Sequence, residues 1–156
     1  EMFDFTFNEI FLFGIILNLT AGLGAFSFGF IDDLLGGKRT IQITNYGFIV
    51  ASTLAIIAGS ISPPSGKNLF WFSGVLIGIF SGPNQAASRS LMGRLTPTKK
   101  QNEFFGFFAF SGKATAFIGP LLFSLAVSFT SDLRFGIVTI LFLFIIGTIL
   151  LSKLDS

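Results

Sequence analysis

Residues 104–123 read FFGFFAFSGKATAFIGPLLF. Nearly every side chain in this stretch suits hydrocarbon. Twenty residues at 1.5 Å each make a helix of about 30 Å, the thickness of a bilayer's hydrocarbon core. The block therefore reads as a transmembrane helix. Lys113 sits in its middle, with no acidic residue within reach along the same helix.

Working outward, the same pattern recurs along the chain. Apolar blocks cover residues 8–31, 41–61, 69–91, 104–129 and 133–151. The breaks between them are short and polar: DDLLGGKRT, SPPSGKN, TPTKKQNE and TSD. Pro63-Pro64-Ser65-Gly66 is a strong turn signal. The expected fold is an all-α membrane protein of five transmembrane helices with tight connections. Buried helices of a soluble protein are the alternative, but five such blocks leave too little polar surface to cover them.

Composition agrees. The chain is 51% hydrophobic and 12% charged, half the ~25% charged share of soluble domains. Its mean hydropathy is +0.79. With no Cys and no His, thiolate chemistry, imidazole bases and the commonest metal ligands are excluded. No Walker-type phosphate loop, acid–base pair or metal-ligand cluster is present, so the expectation is neither an enzyme nor a cofactor binder. The basic pI of about 9.2 does not point to nucleic acid, because the basic residues share no polar face.

Charge sets an expected orientation. Lys38, Arg39, Arg89, Arg94, Lys99, Lys100 and Lys153 fall on one side of the five spans, and Lys67 and Arg134 on the other. The positive-inside rule places the larger group in the cytoplasm. The first span then begins outside. An outside start without a signal peptide is the expectation for a C-terminal fragment, with a missing N-terminal half as its partner.

Three motifs could carry chemistry. The first link, GFIDDLLGGKRT, holds Gly29, Asp33, Gly36, Lys38 and Arg39. Gly29 allows close packing, Asp33 suits a helix N-terminus, Gly36 permits a positive φ, and the two cations anchor to a leaflet. A generic basic hairpin fits equally. In the third block, Gly82-Pro83 interrupts the hydrogen-bond ladder. Gln85, Ser88 and Arg89 follow at i, i+3 and i+4, forming one polar face that lines a cavity or bonds neighbouring helices. Arg89 lies near enough to the helix end to snorkel.

Lys113 is the third. It lies ten residues past Glu103, about 15 Å along the helix and half-way through the hydrocarbon. A cation there costs about 2.5–3.5 kcal/mol even on the insertion scale. It meets an anionic solute in a water-filled cavity, or it pairs with a carboxylate on a helix outside this chain. Gly106, Gly112 and Gly119 suggest a small, closely packed face. Gly119-Pro120 adds a hinge or a kink. Asn18, in the first block, either packs helices or touches solute.

These stretches carry a resemblance. GFIDDLLGGKR resembles the signature loop of major facilitator superfamily transporters, matching at Gly29, Asp33, Gly36 and Lys38 and departing at Leu34. SGPNQAASRSLMGRLTP, EFFGF and GKATAFIGPLLF resemble the vacuolar-effluxer-like subfamily, known in bacteria as the unknown major facilitator family. The matching residues are Gly82, Gln85, Ala86, Ser88, Arg89, Ser90, Pro97, Glu103, Phe104, Phe105, Gly106, Lys113, Gly119 and Pro120; Gly112 departs. The resemblance implies helices eight to twelve of a twelve-helix transporter, with Asp33, Lys38, Arg39 and Arg89 at a cytoplasmic gate. It implies solute efflux, with amino acids as the best guess. The membrane would be the plasma membrane in bacteria or the vacuolar membrane in fungi. A non-transporting scaffold or sensor with the same fold is the rival.

Overall fold

The computed structural model describes residues 3–154. Its elements are α1 (Phe7–Leu35), α2 (Gly37–Ala58), α3 (Ser65–Leu95), a 3₁₀ turn (Thr98–Lys100), α4 (Gln101–Thr130) and α5 (Leu133–Ser152). No strand occurs among the described residues. Each apolar block becomes one helix; half of the helix ends run three or four residues past the block, and α2 stops at Ala58, three residues short of it.

The largest departure from the sequence reading is at the first link. DDLLGGKRT is not a loop. Its first four residues continue α1 to Leu35, Gly36 alone turns the corner at φ 82°, and α2 starts at Gly37. The Gly36 N–H donates to the Asp32 carbonyl at 2.9 Å, and the Gly36 carbonyl accepts from Thr40 N at 3.2 Å. One residue thus ends one helix and caps the next, which only a residue without a Cβ does cheaply.

Four helices are long and apolar enough to cross a membrane by length and composition: α1, α2, α4 with its leading turn, and α5. The exception is α3. It is 31 residues long, but Lys67, Asn68, Asn84, Gln85, Arg89 and Arg94 dilute its hydropathy. Its position accounts for this, since α1 and α2 pack against it and a shielded face need not be apolar.

In space the order is α1, α3, α2, α5, α4. The backbones of α1 and α4 at its ends do not approach each other closely, and Ile10 and Phe123 line a common cavity. Large apolar side chains point outward, among them Phe7, Phe11, Leu23, Phe26, Phe107, Phe110 and Phe129. Thr40, Thr44, Ser52 and Ser73 are buried. This inverts the distribution of a water-soluble protein and is the one expected where lipid is the solvent.

Small residues let the backbones close. Gly74, Gly78 and Gly82 recur every fourth residue along α3. A Cβ on Gly74 would strike the Phe13 ring, on Gly78 the Thr20 hydroxyl, and on Gly82 the Ala21 carbonyl. This is the small-xxx-small packing of membrane helices. Across the other interface, Phe48 of α2 stacks on Phe144 of α5 with centroids 4.6 Å apart and planes 17° apart.

Candidate functional site: an open lysine face and a glycine corner

The sequence places polar groups at three heights, and the fold treats each differently. At the Pro64 end, the described charges other than Asp4 are paired. Thr6 caps α1 in a capping box with Glu9. Lys67 reaches Glu9 at 2.6 Å and lies 4.9 Å over the Phe5 ring. Asp132 caps α5 and pairs with Arg134 at 2.7 Å. The Arg134 guanidinium, donating to the Asp132 carboxylate, holds that carboxyl below its ordinary range. Arg134 also donates to Ser60 Oγ at 3.1 Å.

At the Gly36 end, most cations are free. Lys38 Nζ donates to the Leu154 carbonyl, tying the start of α2 to the end of α5. Among the described residues, Arg39, Arg89, Lys99, Lys100 and Lys153 make no ion pair, and neither does Asp33. The carboxylate that does pair is its neighbour Asp32, which meets Arg94 of α3 at 3.7 Å. Asp32 Oδ1 is buried without a hydrogen-bond partner. Helix phase explains the exchange: Asp32 faces α3, and Asp33, about 100° further round, faces out. Gly29 has open space where a Cβ would be, whereas Gly37 is pressed against Ala87 and Leu91. Close packing at this corner therefore comes from Gly37.

Between the two ends lie the residues at mid-helix. Asn18 is exposed on α1 and donates to its own helix at the Gly14 carbonyl, 2.8 Å away. Gln85 and, nearer the Gly36 end, Arg89 are exposed on α3, and Ser88 Oγ donates to the Asn84 carbonyl at 2.7 Å. The side chain that enters the protein is Asn84. Its amide donates to Thr44 Oγ1 at 2.8 Å and to Asn45 Oδ1 at 3.0 Å, clasping α3 to α2. Sequence reasoning misses Asn84 because only the packing phase separates it from Gln85. The Gly74-Gly78-Gly82 spacing is legible in the sequence and is the signal that finds the α1–α3 interface.

On α4, none of the residues is buried. Ser111 and Thr115 spend their hydroxyls on their own helix, at the Phe108, Ser111 and Gly112 carbonyls. Lys113 is exposed, and among the described residues no carboxylate lies within ion-pair distance of it. Gly106, Gly112 and Gly119 all face open space. The close packing expected of that glycine series is not made among the described residues. The half-buried residues Leu122, Phe123 and Ala126 mark the side turned to α5, and Lys113 lies on the other side of the helix.

The two internal prolines differ. Pro83 is fully buried. Having no N–H, it leaves the Ile79 carbonyl without its helical donor. Gly24 of α1 approaches that carbonyl so closely that a Cβ would collide with it, giving it a Cα–H contact. Pro120 is exposed and borders a cavity it shares with Ile140, Leu143 and Phe144 of α5, and no side chain among those described donates to the carbonyl it frees.

The arrangement thus has a sealed α1–α3–α2 unit, a charged corner, and an uncovered α4 face with one cation at mid-height. No solved structure matches the chain. Among curated proteins it is 35% identical over 83 residues to an uncharacterised MFS-type transporter, YxiO, of Bacillus subtilis, covering 53% of this chain and 19% of that protein. It is 26% identical over 155 residues to autophagy-related protein 22 of Cryptococcus neoformans, covering 93% and 28%. To autophagy-related protein 22 of Kluyveromyces lactis it is 30% identical over 145 residues, covering 85% and 28%. The chain thus spans less than a third of the length of these relatives. The model of the family described as "Vacuole effluxer Atg22 like" matches residues 1–156. The chain belongs to the Atg22-like vacuole effluxer family.

Proposed function

We propose that this chain forms the C-terminal part of a secondary transporter that moves a small solute by alternating access, with Lys113 holding an anionic group of that solute. The carrying observation is the state of Lys113. It stands at mid-helix on a face this chain leaves uncovered, with no carboxylate near it among the described residues. A cation at that depth is retained where it meets water, solute or a counter-charge. The uncovered α4 face suits a central cavity between two bundles.

The glycine corner fits a gate. The Asp32–Arg94 pair joins α1 to α3 loosely enough to break, and Asp33, Arg39 and Arg89 are available to partners outside this chain. Paired charges at the Pro64 end and free cations at the Gly36 end favour the Gly36 end as cytoplasmic. Amino acids are the proposed solutes, with efflux as the direction. The proposed membranes are the vacuolar membrane in a fungal cell and the plasma membrane in a bacterial one. A protein that keeps the fold without transporting would instead use Lys113 in a fixed ion pair with a helix outside this chain.

The test is efflux from liposomes holding the full-length protein and a labelled amino-acid pool. Lys113→Met and Lys113→Ala should both abolish efflux while melting as wild type does. Unchanged efflux in both would move the solute site elsewhere. Loss of folding in both would favour the fixed pair.

A further inference from the structure

The two internal prolines each free one main-chain carbonyl, and their surroundings are opposite. At Pro83 the Ile79 carbonyl is closed off by the backbone of Gly24. At Pro120 the freed carbonyl belongs to Ala116, and Ala116 and Pro120 are both exposed. No side chain among the described residues donates to it. The nearby hydroxyl, Thr115 Oγ1, is already engaged at 2.8 and 3.0 Å with Ser111 and Gly112. An acceptor without a donor is costly where lipid or a dry cavity is the medium.

Its position is informative. Ala116 follows Lys113 by three residues, about 4.5 Å along the axis and about 60° round the helix. The carbonyl points toward Pro120, seven residues from Lys113 and within about 20° of its direction. One face of α4 therefore carries a cation with three donors and, less than a turn further on, an acceptor that has lost its regular helical donor. Neither has a side-chain partner among the described residues.

We propose that the Ala116 carbonyl is the second anchor of the solute site, accepting an N–H from a solute whose carboxylate meets Lys113. The matching ligand class is a small zwitterion carrying a carboxylate and an ammonium on adjacent positions. This deepens the transport reading and rests on it. It assigns Pro120 a chemical role, exposing an acceptor, separate from bending the helix.

Pro120→Ala and Pro120→Gly both return an N–H to residue 120 and so occupy the Ala116 carbonyl. Glycine keeps a flexible point and alanine does not, so the pair separates acceptor from hinge. Full-length wild type and both variants are placed in liposomes with an equimolar labelled amino-acid mixture. The fastest-released amino acid is then compared, as KM, with the inhibition constant of its analogue lacking the α-ammonium. In both variants KM for the amino acid should rise about tenfold or more, the scale of one hydrogen bond to a charged group. The inhibition constant of the analogue should stay at its wild-type value. Equal shifts for both compounds, a shift in one variant only, or no shift would overturn the second anchor while leaving Lys113 transport intact. If wild type releases no amino acid, the transport reading and this inference fall together.

Discussion

The chain uses Gly-Pro twice, at Gly82-Pro83 in α3 and at Gly119-Pro120 in α4, and it builds opposite surroundings for them. Around the first, α1 closes in until a Cβ on Gly82 would strike the Ala21 carbonyl, and Gly24 covers the Ile79 carbonyl. Around the second there is open space at Gly119 and an exposed ring at Pro120. The same dipeptide gives a sealed joint in one helix and a bare acceptor in the other. What decides is not the local backbone but whether a neighbouring helix brings a small residue to the freed carbonyl. The sealed joint is packed within this chain, and the other is left open among the described residues.

That contrast can be broken by substitution. The largest expected effect is at the α1–α3 seam. Gly78→Leu would drive a side chain into Thr20 and the Leu17 carbonyl, costing about 1–3 kcal/mol or more as overpacking. A thermal melt in detergent should show a drop of several degrees or lost expression. Gly112→Ala, on the open face, should melt within about 0.5 kcal/mol of wild type, since nothing meets its Cβ and alanine is the better helix former. An equal loss at both positions would end the distinction.

A smaller effect is expected at the α2–α3 clasp. Asn84→Leu removes the donor to Thr44 and Asn45, and hydrogen bonds between membrane helices average about 0.6 kcal/mol with a maximum near ~1.7. Gln85→Leu, one position along and exposed, should leave the melt unchanged. At the corner, Asp32→Asn should weaken the link to Arg94 by under about 1 kcal/mol, the range of partly exposed pairs. Asp33→Asn should have no effect on stability. If Asp33→Asn lowers the melt and Asp32→Asn does not, the corner is wrongly assigned.

The smallest effect concerns pH. Asp132 has its folded carboxyl held down by Arg134, so the unfolded chain binds its proton first as pH falls. Its contribution is whole above the ordinary aspartate value and disappears as pH drops through the lowered folded value. Melting curves between pH 6 and 2 (about the aspartate range) should show a steeper acid loss in wild type than in Asp132→Asn.

Much of the architecture is legible in the sequence. Five apolar blocks become five helices; for four of them length and hydropathy suffice for a lipid-facing element, while α3 is carried by its packing against α1 and α2. Gly36 is readable as a turn, but the extent of that turn is not. Asp32, Asp33, Leu34 and Leu35 look like a polar link and are helical, because a positive-φ glycine ends a helix in one residue. The choice of Asp32 over Asp33, and of Asn84 over Gln85, depends on helix phase relative to neighbours, which no single helix reveals. The glycines of α4 suggest packing by composition, yet Gly106, Gly112 and Gly119 meet nothing. Lys113 stands out by its isolation in sequence, and in the fold it stays isolated.

The most direct measurement uses cysteine accessibility, helped by the absence of Cys from this chain. In a full-length protein stripped of other cysteines, the single-cysteine variants Lys113→Cys and Ser73→Cys would be treated with a membrane-impermeant thiol reagent. Ser73 is 1% exposed and serves as the sealed control. The thiol placed at position 113 should react, transported solute should slow that reaction, and the thiol placed at position 73 should stay unmodified. Equal inertness at both positions would contradict the transport reading, because the α4 face would then be as closed as the buried surroundings of Ser73.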